Sequence, residues 1–270
     1  MSNPAVSFVW YELMTPDPDG AKAFYDAVVG WDIEPAPAGE MDYRMIRRGS
    51  GGNAGGVLRI TDEMAGGGAR PGWLGYLSVH DVDQVAATVL GEGGQIHMPP
   101  MDMPGVGRMA MIADPTGAPF YIINPAPPAS DPGAASDVFS PDKPQHVRWN
   151  ELSSSDPNAA MRFYTRHFGW SPGGEMDMGE YGTYRFLNQG ETMIGAIMPT
   201  MPGKTGSFWS YYIGVDDIDR AAQAVTDLSG TMVQDPIEIP GGEYSLVATD
   251  PQGAVFGLVG PRRPSQGAAQ

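Results

Sequence analysis

Hydrophobic and polar residues alternate with a period of two at the start of the chain. The segment from Ser7 to Met14 alternates in this way and is rich in aromatic and branched side chains, which is typical of a β-strand. Asp17 and Pro18 then provide an N-cap and a first helical residue. The pattern therefore predicts a strand followed by a helix that ends at Gly30.

The rest of the first half of the chain is predicted to hold short strands and one more helix. A glycine-rich stretch from Gly66 to Gly72 divides this half into two parts. Before it, strands are predicted at 31–34, 43–47 and 56–60; after it come a strand at 73–79, a helix at about 82–90, and strands at 95–98, 108–112 and 119–123. Each part is thus a strand, a helix and three strands, which places the chain in the α+β class.

The second half of the chain repeats the first. The tetrapeptide Trp10-Tyr11-Glu12-Leu13 recurs as Trp149-Asn150-Glu151-Leu152, and the later segment Asp114-Pro115-Thr116-Gly117-Ala118 recurs as Asp250-Pro251-Gln252-Gly253-Ala254. Ordered matches of this kind indicate a duplicated unit. We predict a first domain at 4–127, a linker at 128–143 rich in Pro, Ala, Ser and Asp, a second domain at 144–262 and a tail at 263–270.

Composition narrows the classes of function. The 270 residues carry a net charge of −16, so phosphate backbones would be repelled and nucleic-acid binding is not expected. The chain has no cysteine, which excludes disulfides and thiolate metal sites. It has no apolar run of membrane-spanning length, and the start lacks the pattern of a secretory signal. We expect a cytoplasmic protein that binds neither nucleic acid nor membrane.

The order of these motifs resembles a known family. A strand, Asp-Pro, then Phe24-Tyr25 and Gly30-Trp31, followed late in the repeat by Asp114-Pro115, is similar to the vicinal-oxygen-chelate superfamily of glyoxalases, bleomycin resistance proteins and extradiol dioxygenases. The resemblance implies two tandem domains, each a pair of βαβββ units that form a curled sheet around a ligand cup. It leaves the activity open, because this fold serves lyases, isomerases, dioxygenases and drug-binding proteins.

The resemblance also implies where a metal would be held. Metal-using members place His, Gln or Glu on the first, fifth and last strands of the repeat. The corresponding positions here are Trp10, Leu74 and Tyr121 in the first repeat, and Trp149, Ser210 and Gly257 in the second. These side chains do not form a ligand set for a first-row metal, so we predict no metal site and no firmly implied cofactor. A divalent metal held by other residues is left open as an alternative.

Two glutamates are the candidate catalytic residues. Because strand side chains alternate, Glu12 shares a face with Trp10, and Glu151 shares a face with Trp149. A carboxylate inside an aromatic cup must either find a partner or favour its protonated form, which suits acid–base chemistry. The alternative is a structural salt bridge from these glutamates to arginines across the sheet, with Arg44 or Arg185 as the partner.

Residues predicted to line the cups are mostly aromatic and lie on predicted strands. They are Trp10, Met14, Tyr76, Arg108 and Tyr121 in the first repeat, and Trp149, Ser153, Tyr184, Tyr212 and Tyr244 in the second. The tyrosines and Arg108 in this set combine an apolar body with a polar tip, which suits a small aromatic or carbonyl ligand. Ordinary packing is the alternative for all of them. For Tyr25 and Tyr164 we predict core packing, and for Asp114 and Asp250 hydrogen bonds within a turn.

Three functional hypotheses follow. The first is a small-molecule-binding protein with aromatic-lined cups and without the usual metal triad. The second is a lyase or isomerase of glyoxalase type, which either uses a metal or uses Glu12 or Glu151 as acid and base. The third is a structural protein whose cups are filled by side chains. The expected partner is a small-molecule ligand; the two repeats are expected to pair as a pseudo-dimer within the chain, and a homodimer is left open.

Overall fold

The computed structural model describes residues 6–39, 41–126 and 135–263. Part of the predicted linker (128–134), residues 4, 5, 40 and 127 of the first predicted domain and most of the predicted tail (264–270) lie outside the described residues. The domain limits given above therefore remain predictions.

The first repeat has the predicted order of two βαβββ halves, with one additional short helix. Its elements are β1 (Phe8–Thr15), α1 (Pro18–Val29), β2 (Asp32–Ile33), β3 (Tyr43–Arg47), β4 (Asn53–Arg59), α2 (Asp62–Gly66), β5 (Gly72–Ser78), α3 (Val82–Gly91), β6 (Gln95–Met103), β7 (Gly107–Ala113) and β8 (Pro119–Pro125). The helix α2 lies just before the glycine-rich stretch and shares only Gly66 with it, in a segment where we predicted no element. It forms because Thr61 caps it, accepting a hydrogen bond from the Met64 backbone N–H.

The second repeat has the same order. Its elements are β9 (Val147–Ser154), α4 (Pro157–Phe168), β10 (Ser171–Asp177), a 3-10 turn (Gly179–Tyr181), β11 (Thr183–Gln189), β12 (Thr192–Pro199), β13 (Phe208–Gly214), α5 (Ile218–Asp227), β14 (Thr231–Glu238), β15 (Tyr244–Thr249) and β16 (Val255–Gly260). No helix in the described part of the chain is long and apolar enough to cross a membrane.

Each repeat forms one open eight-stranded sheet. The strand order is β2-β3-β4-β1-β5-β8-β7-β6 in the first repeat and β10-β11-β12-β9-β13-β16-β15-β14 in the second. The first strand of each βαβββ half pairs in parallel with the last strand of that half, and the remaining pairings within a half are antiparallel. The predicted α+β class with two tandem sheets is confirmed.

The helix that follows the first strand begins and ends where the sequence predicts. The Asp17 carboxylate accepts a hydrogen bond from the Gly20 N–H, and Pro18 stands at the first helical position. Gly30 ends α1 in the left-handed conformation, with φ at 83°. The equivalent residues Asp156 and Gly169 cap α4 in the same way.

The chain is organised into two compact units that do not coincide with the two repeats. One unit comprises Met1–Tyr11, Leu74–Pro141 and Trp149–Ser210, and the other comprises Glu12–Trp73, Asp142–Arg148 and Tyr211–Gln270. Each unit therefore combines one βαβββ half of the first repeat with one half of the second. The candidate glutamates Glu12 and Glu151 belong to different units.

Buried hydrogen bonds join the two repeats inside each unit. In one unit the Tyr25 hydroxyl donates to Asp250 at 3.1 Å and accepts from the Trp73 indole at 3.0 Å. The other unit contains the equivalent set, in which Tyr164 donates to Asp114 and accepts from Trp209; the two bonds measure 3.0 and 3.1 Å respectively. The tyrosine of one repeat thus binds the hairpin aspartate of the other.

The hairpin aspartates also have the turn role predicted for them. One carboxylate oxygen of Asp114 accepts hydrogen bonds from the N–H groups of Thr116 and Ala118, and Asp250 binds Gln252 and Ala254 in the same way. Burial raises the pKa of Asp250 above its ordinary value. The expected packing role of Tyr25 is confirmed, since its side chain is fully buried, but its hydroxyl has an additional function that packing alone did not predict.

Candidate functional site

Strands β9 to β12 present two distinct faces. Leu152, Ile197 and Arg185 are register partners on one face, where Arg185 donates to Asn158 of α4. Glu151, Ala196 and Phe186 are register partners on the other. Because directly paired residues have their side chains on the same side of a sheet, Glu151 and Phe186 point away from α4.

A chain of hydrogen bonds on this second face contains three of the predicted site residues. The Trp149 indole N–H donates to the Tyr184 hydroxyl at 2.8 Å, and that hydroxyl donates to Glu151 Oε2 at 2.7 Å. All three side chains are partly exposed. Phe186 packs edge-to-face against Trp149 and Tyr184, with ring centroids at 6.0 and 5.5 Å. We refer to Trp149, Glu151, Tyr184 and Phe186 as the Glu151 cluster.

This geometry fixes the position of a carboxylate beside aromatic walls. A carboxylate has roughly four acceptor positions, so it can accept more than one hydrogen bond. The bond from the Tyr184 hydroxyl orients the Glu151 carboxylate. The cluster can therefore accept a hydrogen bond from a ligand, attract a cation or exchange a proton. Ser153, which is also on this face but buried, lies one row further along the strand, opposite Met198.

The equivalent face in the first repeat carries Trp10, Glu12 and Met14. Glu12 is the register partner of Gly56, and Met14 is the partner of Leu58. Tyr43 occupies the position equivalent to Tyr184, and a Cβ on Gly56 would overlap the Tyr43 hydroxyl. Glu12 is buried, with only 2% of its surface exposed. The two predicted catalytic glutamates thus occupy equivalent positions but differ in accessibility.

The alternative of glutamate–arginine salt bridges is wrong for both pairs among the described residues. Arg44 is the register partner of Val57, which in turn pairs with Leu13, so Arg44 points toward α1 and away from the face of Glu12. It binds Asp42 at 2.7 Å and Asp19 at 2.6 Å, and the bond to Asp42 raises the pKa of Arg44 above its usual range. Arg185 binds Glu175 at 3.0 Å on the corresponding face of the second repeat.

The second half of the first repeat carries a row of aromatic and thioether side chains. Tyr76 pairs with Tyr121, Tyr121 with Met111, and Met111 with Met98, so all four lie on one face. The Tyr76 and Tyr121 rings stack with centroids 4.2 Å apart and planes inclined by 14°. On the opposite face, Phe120 is fully buried and packs against the Tyr164 and Phe168 rings of α4.

The same row in the second repeat is much smaller. Tyr212 pairs with Gly257, Gly257 with Val247, and Val247 with Gln234. The Tyr212 ring lies directly on the Gly257 backbone, because a Cβ on Gly257 would overlap that ring. Tyr76 and Tyr121 therefore share one face of their sheet, and Tyr212 lies on the equivalent face of the other sheet.

Two predicted ligand-binding residues lie on the other face. Arg108 pairs with Asn124 and binds Asp83 of α3 at 2.5 Å and Asp102 at 3.1 Å, so it points toward the helix side. Tyr244 is also on the helix side of its sheet, where Arg262 lies 4.0 Å above its ring and binds Asp219. Arg108 therefore lies on the opposite face of its sheet from Tyr121, and Tyr244 lies on the opposite face of its sheet from Tyr212.

Sequence reasoning missed Tyr43 and Phe186. A signal for Tyr43 was present, because the dipeptide Tyr43-Arg44 recurs as Tyr184-Arg185 on the equivalent strand. Phe186 carried no such signal, since its counterpart in the first repeat is Met45.

Comparison with known proteins decides the family. The model of the glyoxalase/bleomycin resistance protein/dioxygenase superfamily matches residues 7–122 and again residues 143–258. The chain belongs to this superfamily. The resemblance inferred from the sequence motifs is therefore confirmed, and both repeats of this superfamily member are covered by the match.

Relatives of this superfamily member align over nearly its whole length. "Putative glyoxylase CFP32" of Mycobacterium tuberculosis is 34% identical over 255 residues, which cover 93% of this chain and 94% of that protein. "Anthracycline biosynthesis protein DnrV" of Streptomyces peucetius is 27% identical over 274 residues, with 93% and 91% covered. Among solved structures, a Mn(II)-bound glyoxalase from Novosphingobium aromaticivorans is 18% identical with a TM-score of 0.62, covering 96% of this chain and 83% of that chain. An extradiol ring-cleaving dioxygenase from B. fuscum is 14% identical with a TM-score of 0.63, covering 98% and 75%. The last two establish the fold alone.

The residues of this superfamily member do not fit the metal centre that the family implies. The six positions that the motif alignment gives as equivalent hold two tryptophans, a leucine, a tyrosine, a serine and a glycine. Within the described ranges, no group of three or more His, Asp or Glu side chains could hold a metal ion. A carboxylate bound to phenol and walled by indole offers too few oxygen ligands for a hard divalent cation.

Proposed function

We propose that this protein binds small aromatic molecules without a metal, and that Glu151 anchors the ligand. The observation that carries the proposal is the hydrogen-bond chain from Trp149 through Tyr184 to Glu151. It holds a charged acceptor at a partly exposed position beside two aromatic rings. Binding sites for small molecules typically combine apolar walls with a few oriented polar groups of this kind.

The chemistry of the cluster defines the ligand class. A carboxylate favours a ligand that presents a hydrogen-bond donor or a positive charge, and the net charge of −16 attracts cations as well. Trp149 and Phe186 favour a flat ring that can pack against them. The name of the Streptomyces peucetius relative refers to anthracyclines, which are flat aromatic compounds, and this supports the same class.

A fluorescence titration with proflavine, a flat aromatic cation with amine donors, tests this proposal. We expect saturable binding at physiological salt, and we expect Glu151→Gln to weaken it about tenfold or more, because a charge-assisted hydrogen bond is lost. Tyr184→Phe should weaken binding less, since the carboxylate remains but is no longer oriented.

The matched control is Glu175→Gln. Glu175 is an exposed glutamate of the same half-sheet, on the strand β10, and it binds Arg185 on the helix-side face. The same charge is removed, so equal weakening by Glu151→Gln and Glu175→Gln would show that proflavine responds only to net charge. That result would overturn the proposal, as would the absence of saturable binding.

An acid–base enzyme is the second candidate. The 2.7 Å bond between Tyr184 and Glu151 would orient a proton-accepting carboxylate, and the Mycobacterium tuberculosis relative is named as a glyoxylase. The hemithioacetal of methylglyoxal and glutathione is a suitable test substrate. Turnover that Glu151→Gln abolishes and a chelator leaves intact would support this candidate; turnover that requires an added divalent metal would instead support a metal-dependent lyase.

A further inference from the structure

An open cavity of about 310 Å³ lies in the second repeat, on the helix side of the strands that carry the Glu151 cluster. It is bordered by the helix α4 and the strands β10 and β11, and its lining residues all belong to one compact unit. Side chains of mixed chemistry line it, including Asn158, Met161, Arg162, Pro172, Glu175 and Arg185. Two cations and one anion make the cavity positive in a chain whose net charge is −16.

The equivalent arginine of the first repeat is enclosed by two carboxylates. Arg44 binds Asp19 at 2.6 Å and Asp42 at 2.7 Å, and its side chain is only 1% exposed. Asn158 stands in the second repeat where Asp19 stands in the first, since each is the second residue of its helix. The Arg185 side chain is 24% exposed. An amide thus takes the place of one of the two carboxylates that enclose the arginine in the first repeat.

Arg185 keeps donors that a ligand can use. A guanidinium has five N–H groups. Among the residues that the structure describes, Arg185 donates to Glu175 at 3.0 Å and to Asn158 at 2.5 Å, which leaves three N–H groups available. Arg162 lies one turn after Asn158 on α4 and lines the same cavity, whereas its counterpart in the first repeat is Ala23. The cavity therefore presents two guanidinium groups that can act on one ligand.

The strand β10 gives the cavity an irregular wall. Its pairing with β11 shifts register between Pro172 and Glu175. Gly174 lies within this shift with φ at 115°, a conformation that favours glycine. Irregularities of this kind are frequent beside binding sites, because they redirect side chains. The equivalent strand of the first repeat, β2, spans only Asp32–Ile33, so this wall belongs to the second repeat.

We infer that this cavity binds a small organic carboxylate. The planar fork of a guanidinium matches the two oxygens of a carboxylate, and Arg162 adds a second positive charge. Met161, which stands where the first repeat has Lys22, and Pro172 provide apolar surface for the organic part. The site lies on the opposite face from Glu151, so it adds an anionic ligand to the proposed function and does not depend on it.

A fluorine NMR titration of the full chain with para-fluorobenzoate tests the inference. We expect saturable binding at physiological salt, and none for the neutral analogue para-fluorobenzamide. Arg162→Gln should weaken binding about tenfold, because a charge-assisted interaction is lost. The matched control is Arg166→Gln, which removes the same charge one turn further along α4, where Arg166 binds Glu92. We expect the control to change the affinity by at most about twofold, since exposed charges are screened by salt.

Asn158→Asp examines the difference between the repeats. The variant restores the carboxylate that Asp19 provides in the first repeat, and we expect it to bind Arg185 and to abolish binding of para-fluorobenzoate. Thermal unfolding shows whether each variant is folded; if Asn158→Asp is not, the comparison of Arg162→Gln with Arg166→Gln still decides the inference.

Four results would overturn the inference. They are the absence of saturable para-fluorobenzoate binding to the unmodified protein, equal affinity for para-fluorobenzamide, equal weakening by Arg162→Gln and Arg166→Gln, and full affinity in a folded Asn158→Asp. The third of these would show that the anion responds only to net charge.

Discussion

Replacing Tyr25 by phenylalanine removes a hydroxyl group that two buried side chains share. The hydroxyl donates to Asp250 and accepts from the Trp73 indole, and the ring is fully buried. Phenylalanine preserves the ring packing, including the edge-to-face contact with Trp73. The substitution therefore isolates the hydrogen bonds that join the two repeats within this unit.

Two contributions set the expected loss of stability. A hydrogen bond to a charged group contributes about 1.5–3 kcal/mol, and leaving the Trp73 N–H buried without its partner costs about 1–3 kcal/mol. These contributions overlap, because the structure relaxes around the variant. We expect Tyr25→Phe to lower the free energy of unfolding by about 2–4 kcal/mol.

Urea unfolding monitored by tryptophan fluorescence measures this loss. The control is Tyr181→Phe, because Tyr181 is 42% exposed and its substitution should change stability by less than about 0.5 kcal/mol. A double-mutant cycle with Asp250→Asn isolates the pair, with an expected coupling of about 1–3 kcal/mol.

A small effect would refute this reasoning. If Tyr25→Phe unfolds at the same urea concentration as the unmodified protein, the hydroxyl does not stabilise the unit. If the loss is large but the cycle shows no coupling to Asp250, the bond between the repeats is not its cause.

Further predictions concern pH, packing and metal. Burial, reinforced by the charge of Asp250, raises the pKa of Tyr25 well above its ordinary value of 10.0. Because the folded-state pKa is the higher one, this group supports folding below about pH 10 and ceases to do so as the pH rises further. Tyr25→Phe should therefore flatten the decline of melting temperature in alkaline buffer, and an unchanged slope would contradict this. Gly56→Ala should cost about 1–3 kcal/mol, because the new Cβ overlaps Tyr43, whereas Gly66→Ala meets no atom within 4 Å and should be neutral or stabilising in urea unfolding. Dialysis against a chelator should leave proflavine affinity unchanged, and a loss restored by a divalent metal would contradict the metal-free proposal.

Local chemistry explains why so much of the fold could be predicted. The caps at Asp17 and Gly30 depend on neighbouring residues alone, and alternation placed Trp10 and Glu12 on one face of β1 correctly. The duplication added an internal check, because each element had to recur. These features are encoded over a few residues and do not depend on distant partners.

Register between strands could not be derived in this way. Alternation assigns residues to two faces within a strand, but which face matches that of the next strand depends on how the two pair. The alternative role for Glu12 was a salt bridge to Arg44, yet the pairing of Arg44 with Val57 directs this arginine toward α1. Arg108 was placed beside Tyr121 for the same reason, and its pairing with Asn124 directs it to Asp83. The sequence therefore predicts which site residues share a face of one strand. It does not predict which residues of neighbouring strands share that face.

The hydrogen bonds between the two repeats also could not be predicted from the sequence. Tyr25 and Asp250 are both repeated motif residues, but no local pattern shows that one binds the other across the sequence. The helix tyrosines and hairpin aspartates were each explained satisfactorily by packing and turn formation. Only the composition of the compact units reveals their joint role.

Because each compact unit contains a half of both repeats, the covalent link between the repeats determines whether the units stay assembled on dilution. If the repeats were separate chains, each unit would form only by association, and dilution would disperse it. Joining both repeats in one chain makes the encounter intramolecular, with an effective concentration that dilution does not change. A chain present at a few copies per cell thus keeps both units assembled. The same covalent link supplies one copy of each repeat to every molecule. The two repeats can therefore acquire different residues, as at Tyr121 and Gly257, and each unit still combines a half of one repeat with a half of the other.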